Sequence, residues 1–351
     1  MAELEVIDDA ARWDALTAAT GFSPWQQSRA YGLALAAAGH AVGRWRIDIG
    51  GATVGCVQAV GRLAAGGRIG VWHALGGPAW RPGVSAATKR AGLDALSAKL
   101  GGRLRPVLVT PALAVARTPM PADAGGRRFM TGYTTALLPV AASAERQAAR
   151  LHAGWRGALK RGLGAGLEIA CRDARSDLLG LDAALARHED ERRRRGYGAQ
   201  PTALVAAAAR RGPALLATAS GTEGPAAFML VFLHGASATY QVGWTGVAGR
   251  AACAHHRLLW TVLAELRARR VRLLDLGGLN VPAGIAYFKL AAGALPRTFA
   301  GTYLLRARLT ARARCPSRES RASSRADSSA GRHDRPAAAR TSSACRAGSA
   351  G

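Results

Sequence analysis

The chain has 351 residues, 49% hydrophobic and 20% charged, enough for two domains with buried cores and too apolar for a disordered chain. No apolar run reaches the roughly 18 residues of a membrane helix, and the opening Met1-Ala2-Glu3-Leu4-Glu5-Val6 lacks the basic and apolar regions of a secretory signal, so a cytoplasmic protein is expected. The formal charge is +26; eleven arginines and three acids in 306–351 account for +8, and the +18 left on the body favours an anionic partner: a nucleotide cofactor, a phosphorylated substrate or RNA.

Taken in order, Gly43–Ile49 alternates polar and apolar residues, Gly50-Gly51 supplies a turn with positive φ, and Ala52–Val60 returns as a second strand. A third strand fits Arg68–Ala74, a helix Val84–Leu100 and a strand Arg105–Val109. Ala141–Gly162 reads as a helix, Leu167–Cys171 as a strand and Asp177–Arg195 as a helix whose closing arginines suit the negative end of its dipole. Ala214–Ala219 and Ala226–His234 flank a Gly-rich turn at Ser220–Gly224. Ala238–Trp244 then makes a strand, Ala251–Arg269 a long helix and Val271–Leu276 a buried strand. Both halves read strand-strand-strand-helix-strand, a repeat at the scale of a domain. The tail from Arg306 is Arg, Ser and Ala without apolar periodicity, and disorder is expected there.

Chemistry concentrates late in the chain. Val271–Leu276 carries Asp275 and runs into Gly277-Gly278, where backbone can approach a ligand closely; the plain alternative is an aspartate that holds its own turn. Ile285–Leu290 forms a short helix with Lys289, one of only four lysines in a chain that otherwise uses arginine. A compact ammonium there suits the oxyanion of a tetrahedral intermediate; a surface lysine is the alternative. His255 or His256 could act as a base, but neighbours on a helix face different ways, so one at most turns inward and scaffolding is favoured for both. The five cysteines (Cys56, Cys171, Cys253, Cys315 and Cys345) are scattered, which suggests neither a disulfide framework nor a metal site. No Gly-x-Ser-x-Gly elbow supports a hydrolase.

Asp275-Leu276-Gly277-Gly278 followed by Ile285-Ala286-x-Phe288-Lys289 and Gly293 resembles the closing signature of the Fem family of peptidyltransferases and their Fem-like acyltransferase relatives. Upstream, Gln27-Ser28-x-x-Tyr31-Gly32, Gly76-Gly77-Pro78, the series Leu151, Arg156, Arg161-Gly162 and Gly166-Leu167, then Tyr240, Arg250 and Leu258-Leu259-Trp260 resemble further elements of that family in the same order, over roughly residues 20–305. The resemblance implies an α/β fold of mixed sheets in two tandem GNAT-type lobes. These are expected at 1–135 and 136–305, the second holding the acyl-transfer centre, with the basic tail at 306–351.

It also implies transfer of an acyl or aminoacyl group, from acyl-CoA or aminoacyl-tRNA, to an amine by direct aminolysis without a covalent enzyme intermediate. The co-substrate is thus acyl-CoA or tRNA-borne, no tightly bound cofactor is expected, and the acceptor is an amine, in the family a cell-envelope precursor. Carried over by residue, Phe288 and Lys289 match a Phe-Lys pair on the donor side, with Lys289 polarising the acyl carbonyl. Asp275 belongs to the same catalytic group, and Tyr240 lines the channel between donor and acceptor. Arg156, Gln27 and Tyr31 fall on the substrate side. Gly249 and Arg250, in the Gly246–Arg250 turn, and Gly277 and Gly278 would hold the donor, phosphate resting on backbone N–H groups at a helix start. Two departures touch the acceptor: Leu35 stands where the family often has a phosphate-contacting lysine, and Gly76-Gly77 replaces the Arg-Gly of an Arg-Gly-Pro turn. They leave open an alternative, a degenerate relative that binds RNA or a partner.

Overall fold

The computed structural model describes residues 2–112 and 126–305; the expected disordered tail lies outside them. Strands β1 (Ala2–Val6), β2 (Ala41–Ile49), β3 (Ala52–Ala64), β4 (Ile69–Gly76), β5 (Ala79–Trp80), β6 (Val107–Pro111), β7 (Arg127–Met130) and β15 (Thr302–Leu305) make one sheet in the order β1-β2-β3-β4-β6-β15-β7, with β5 on β3. The alternation in β2 buries Trp45 and Ile47. Gly50 and Gly51 both have positive φ, closing a two-residue hairpin in which Ile49 faces Ala52. Helix α1 (Ala10–Ala18) buries Trp13, and α2 (Arg29–Ala37) is capped by Ser28. Between β4 and β6 runs α3 (Ala86–Leu100), capped by the Ser85 hydroxyl on the Thr88 N–H.

The second sheet holds β8 (Thr134–Pro139), β9 (Glu168–Asp173), β10 (Ala214–Gly221), β11 (Gly224–His234), β12 (Ser237–Thr245), β13 (Leu273–Gly278) and β14 (Leu295–Thr298), in the order β14-β8-β13-β12-β11-β10-β9. In both lobes three antiparallel strands lead through a helix to a parallel fourth: β2-β3-β4-β6 in the first, β10-β11-β12-β13 in the second. The doubled pattern is the architecture. The chain has a mixed α/β fold of two lobes that share one strand order.

Helices α4 (Ala144–Ala149), α5 (Ala153–Gly164), α8 (Val247–Ala251), α9 (Ala254–Ala268) and α10 (Ala283–Ala291) belong to the second lobe. Its main core lies where Trp155 and Leu159 of α5 and Leu258, Leu259, Val262 and Leu263 of α9 meet Met229, Val231 and Leu274 of the sheet. On the other face, α6 (Leu178–Arg195) and α7 (Thr202–Arg211) pack with Trp25 and Tyr31 of the first lobe, Trp25 stacked on Phe232 at 4.9 Å. The lobes therefore share a core.

One expected long helix is broken in two. Ala141–Gly162 is interrupted at Arg150–His152, where the His152 N–H donates to the Ala291 carbonyl and the His152 ring caps Gly154. The expected helix Ala251–Arg269 is present as α9, which starts at Ala254, after Cys253 in the left-handed region at φ 53° separates it from the short α8. At Arg150–His152 the cap and the tertiary contact outweigh the helical propensity of an Ala-rich stretch. The last strand, in a stretch assigned to the second lobe where no strand was expected, inserts between β6 and β7 and buries Tyr303 and Leu305 in the first.

Candidate active site

The opening is built by two strands that part. β12 and β13 run parallel but pair only where Ser237–Thr239 faces Leu273–Asp275. Beyond that, β12 continues to Thr245 and β13 to Gly278 without partnering each other. A bulge at Gln241, where Tyr240 faces Val231 but Val242 faces Leu230, turns the departing half of β12. The matching pair in the first lobe, β4 and β6, stays in register to its last residue, Gly76 opposite Pro111. Ligands bind at the carboxyl ends of parallel strands that diverge, and only the second lobe diverges among the described residues.

On the β13 side, the Asp275 carboxylate is buried. It accepts from the Thr135 hydroxyl at 2.6 Å and the Gly277 N–H at 2.8 Å, which fixes the turn and lets Gly277 take φ 80°. Burial raises the Asp275 pKa, against the lowering pull of those hydrogen bonds and of Lys289. Lys289 is buried too, in the last turn of α10, and its Nζ donates to the Gly278 carbonyl at 2.7 Å. Desolvation lowers its pKa and the Asp275 carboxylate opposes that shift. The surface-lysine alternative is thereby removed.

On the β12 side, the Tyr240 hydroxyl lies 2.9 Å from His255 Nε2, and the Thr245 hydroxyl 2.7 Å from His255 Nδ1. Burial drives the His255 pKa down to about 4, helped by His256, so the ring is neutral at pH 7. Burial also raises the Tyr240 phenol well above its ordinary value. Glycine at 243 makes this possible, because a Cβ there would stand 2.0 Å from the Tyr240 hydroxyl.

Phe288 joins the two helices over the opening. Its ring meets His255 at 5.8 Å and His256 at 5.1 Å between centroids, and Trp155 Nε1 donates to its carbonyl at 3.2 Å. Both histidines thus reach Phe288, against the expectation that one at most turns inward: α9 presents its first turn edge-on to α10.

No family model matches the sequence, and no curated protein matches it. Solved structures do. The crystal structure of FemX superposes with a TM-score of 0.72 at 13% identity, over 86% of this chain and 97% of that one. A conserved protein of unknown function from Bacteroides thetaiotaomicron superposes at 0.55 and 13% identity, over 87% of this chain and all of the other.

The fold is Fem-like. In this Fem-like fold Tyr240, Asp275, Gly277, Gly278, Phe288 and Lys289 are gathered around the divergence of β12 and β13. Gly249 and Arg250 lie in α8, directly after β12. The Gly246 N–H donates to the Ala226 carbonyl at 2.9 Å, and a Cβ on Gly249 would stand 2.2 Å from the same oxygen. Glycine at 249 therefore serves close packing. The Arg250 guanidinium is exposed and donates to the Thr245 carbonyl at 2.6 Å.

Two of the residues expected on the substrate side are spent on the core, and a third is exposed. Gln27 is fully buried in the first lobe: its amide donates to the Gln58 and Leu75 carbonyls at 3.0 and 2.6 Å and accepts from the Gln58 N–H at 2.8 Å. Every polar atom of that side chain is spent on the framework. Tyr31 is buried against Trp25, edge to face at 4.6 Å. Arg156 is exposed on α5, bonded to the Leu151 carbonyl. Sequence reasoning missed Thr245 and Gly243, and set His255 aside as scaffolding. A histidine in the first turn of the helix that follows a candidate strand was the signal for it.

Proposed function

We propose that the protein is an N-acyltransferase that passes an acyl or aminoacyl group from acyl-CoA or aminoacyl-tRNA to an amine by direct aminolysis. The observation that carries this is the parting of β12 and β13 between a buried ammonium, Lys289, and a neutral Tyr240–His255 pair. The donor's acyl arm would lie in the divergence, its phosphates toward Gly246–Arg250, whose helix start and free-facing guanidinium suit an anion.

The acceptor amine attacks the acyl carbonyl, forming the C–N bond and a tetrahedral oxyanion. Lys289 spends one N–H on Gly278 and keeps others for that oxygen, in a desolvated place where a charge acts strongly. Asp275 holds the Gly277-Gly278 turn that positions Lys289. Collapse breaks the donor's C–S or C–O bond, and the proton lost by the amine reaches the departing thiolate or ribose oxygen. Tyr240 is the group to relay it: burial keeps its hydroxyl protonated, so it gives that proton to the departing atom and takes the amine's proton in return, while the neutral His255 ring holds the hydroxyl in place. The products are an amide and a free thiol or ribose hydroxyl.

The test is a transfer assay on the full chain with amine acceptors, offering acyl-CoA species and aminoacyl-tRNA in turn and reading the acylated amine by mass. Saturable transfer from one donor class is expected. Salt-sensitive RNA binding without transfer from any donor would replace this reading with a binding role.

A further inference from the structure

The outward side of α10 carries no charge. At helical spacing Ala283, Tyr287 and Leu290 share it, while Lys289 and Ala291 turn in. Tyr287 is 53% exposed and Leu290 40%; Leu295, at the start of β14, is 47% exposed. A helix face turned to water ordinarily carries polar residues. Single exposed apolar side chains are common, but three within nine residues, on one helix face and the strand that follows it, make a patch.

Two chain segments beside the patch carry cations and no acid. Residues 146–167 contain Arg146, Arg150, Arg156, Lys160 and Arg161 and no acid; residues 279–305 contain Lys289 and Arg297 and no acid. α5 packs against α10, and Arg150 abuts Gly293 just beyond the end of α10. Arg297 shares a strand face with Leu295, two residues away. Arg150, Arg156, Lys160, Arg161 and Arg297 are all exposed.

We propose that α10 and the start of β14 form a docking surface for an anionic lipid bilayer. Leu290, Tyr287 and Leu295 would enter the interface, and the cations beside them would meet headgroup phosphates. Charge complementarity selects an anionic partner. Leu290 and Leu295 select a bilayer over a polyanion in solution, because leucine offers nucleic-acid bases no stacking plane, and the one aromatic ring of the patch, Tyr287, is tied through its hydroxyl to His152 at 3.0 Å. The proposal does not depend on acyl transfer and fails separately from it.

The arginine-rich tail will draw the full chain to anionic vesicles by charge alone, so the readout must be local. Hydrogen exchange is followed in the full chain with vesicles of phosphatidylglycerol and phosphatidylcholine, of phosphatidylcholine alone, and with tRNA. Phosphatidylglycerol vesicles should protect 283–291. Leu290→Asp, at an exposed position that leaves folding intact, should lower partitioning at high salt at least ten-fold. Arg297→Ala should weaken it about five-fold at low salt. Unprotected α10, wild-type partitioning of Leu290→Asp, stronger protection of the same helix by tRNA, or its burial in a lipid-free dimer would each overturn the proposal.

Discussion

Gly243→Ala would place a methyl carbon 2.0 Å from the Tyr240 hydroxyl oxygen and 2.9 Å from Cζ, with the Phe228 carbonyl 3.0 Å away on another side. Non-bonded carbon contacts lie near 3.5 Å, and backbone blocks a sideways shift. Tyr240 must therefore swing off His255. The lost hydrogen bond costs about 1 kcal/mol and the overpacking about 1–3 kcal/mol, a total of about 2–4 kcal/mol. In a protein of this size that lowers the melting temperature by roughly 5–10 °C. Transfer should fall about 100-fold if Tyr240 moves the proton.

Tyr240→Phe tells strain from simple loss. Alone it strands a ring nitrogen of His255 and costs about 1–2 kcal/mol. In the Gly243→Ala background it also removes the atom in sharpest conflict, so it should cost less there than in the wild type, by about 1 kcal/mol or more. Thermal unfolding of the four proteins measures this coupling. Additive penalties, or an unchanged melting temperature for Gly243→Ala, would refute the placement of Tyr240.

Two further outcomes follow. Gln27→Ala leaves the Gln58 N–H and the Gln58 and Leu75 carbonyls unpaired in a core, and should cost about 3–5 kcal/mol by thermal melt while leaving KM for both substrates unchanged; a raised KM with unchanged stability would return Gln27 to the substrate side. His234 is buried, and desolvation holds its pKa at about 4, below the 6.5 of the unfolded chain. The unfolded chain takes the proton first on acidification, so this contribution is full above pH 6.5 and is lost as pH falls toward 4, on the order of 2–3 kcal/mol. Melts from pH 7 to 4.5 should fall less steeply for His234→Gln, and parallel curves would contradict the assignment.

Much of the fold was legible because it repeats. The period-2 pattern of β2, the Gly50-Gly51 turn and the three-strand, helix, strand order in each half reflect local chemistry that survives folding. What was not legible depends on contacts distant in the chain. The break at Arg150–His152 answers to Ala291, and β15 leaves its lobe because β6 and β7 offer it an unpaired edge. At the site, Asp275, Gly277, Gly278 and Lys289 follow one another closely enough to be read together. Gln27 and Tyr31 were read as substrate-facing from a motif whose side chains turn out to face the core. His255 needed Thr245 and Tyr240 to acquire a role, and no spacing rule joins those three.

The account rests most on Lys289, and Lys289→Met tests it most directly. Methionine keeps the length and packing of the side chain but removes the ammonium and its bond to the Gly278 carbonyl. Single-turnover transfer by this variant, with its melting curve recorded alongside, should be at least about 100-fold slower than wild type while the protein remains folded. Transfer at the wild-type rate by folded Lys289→Met would contradict the account.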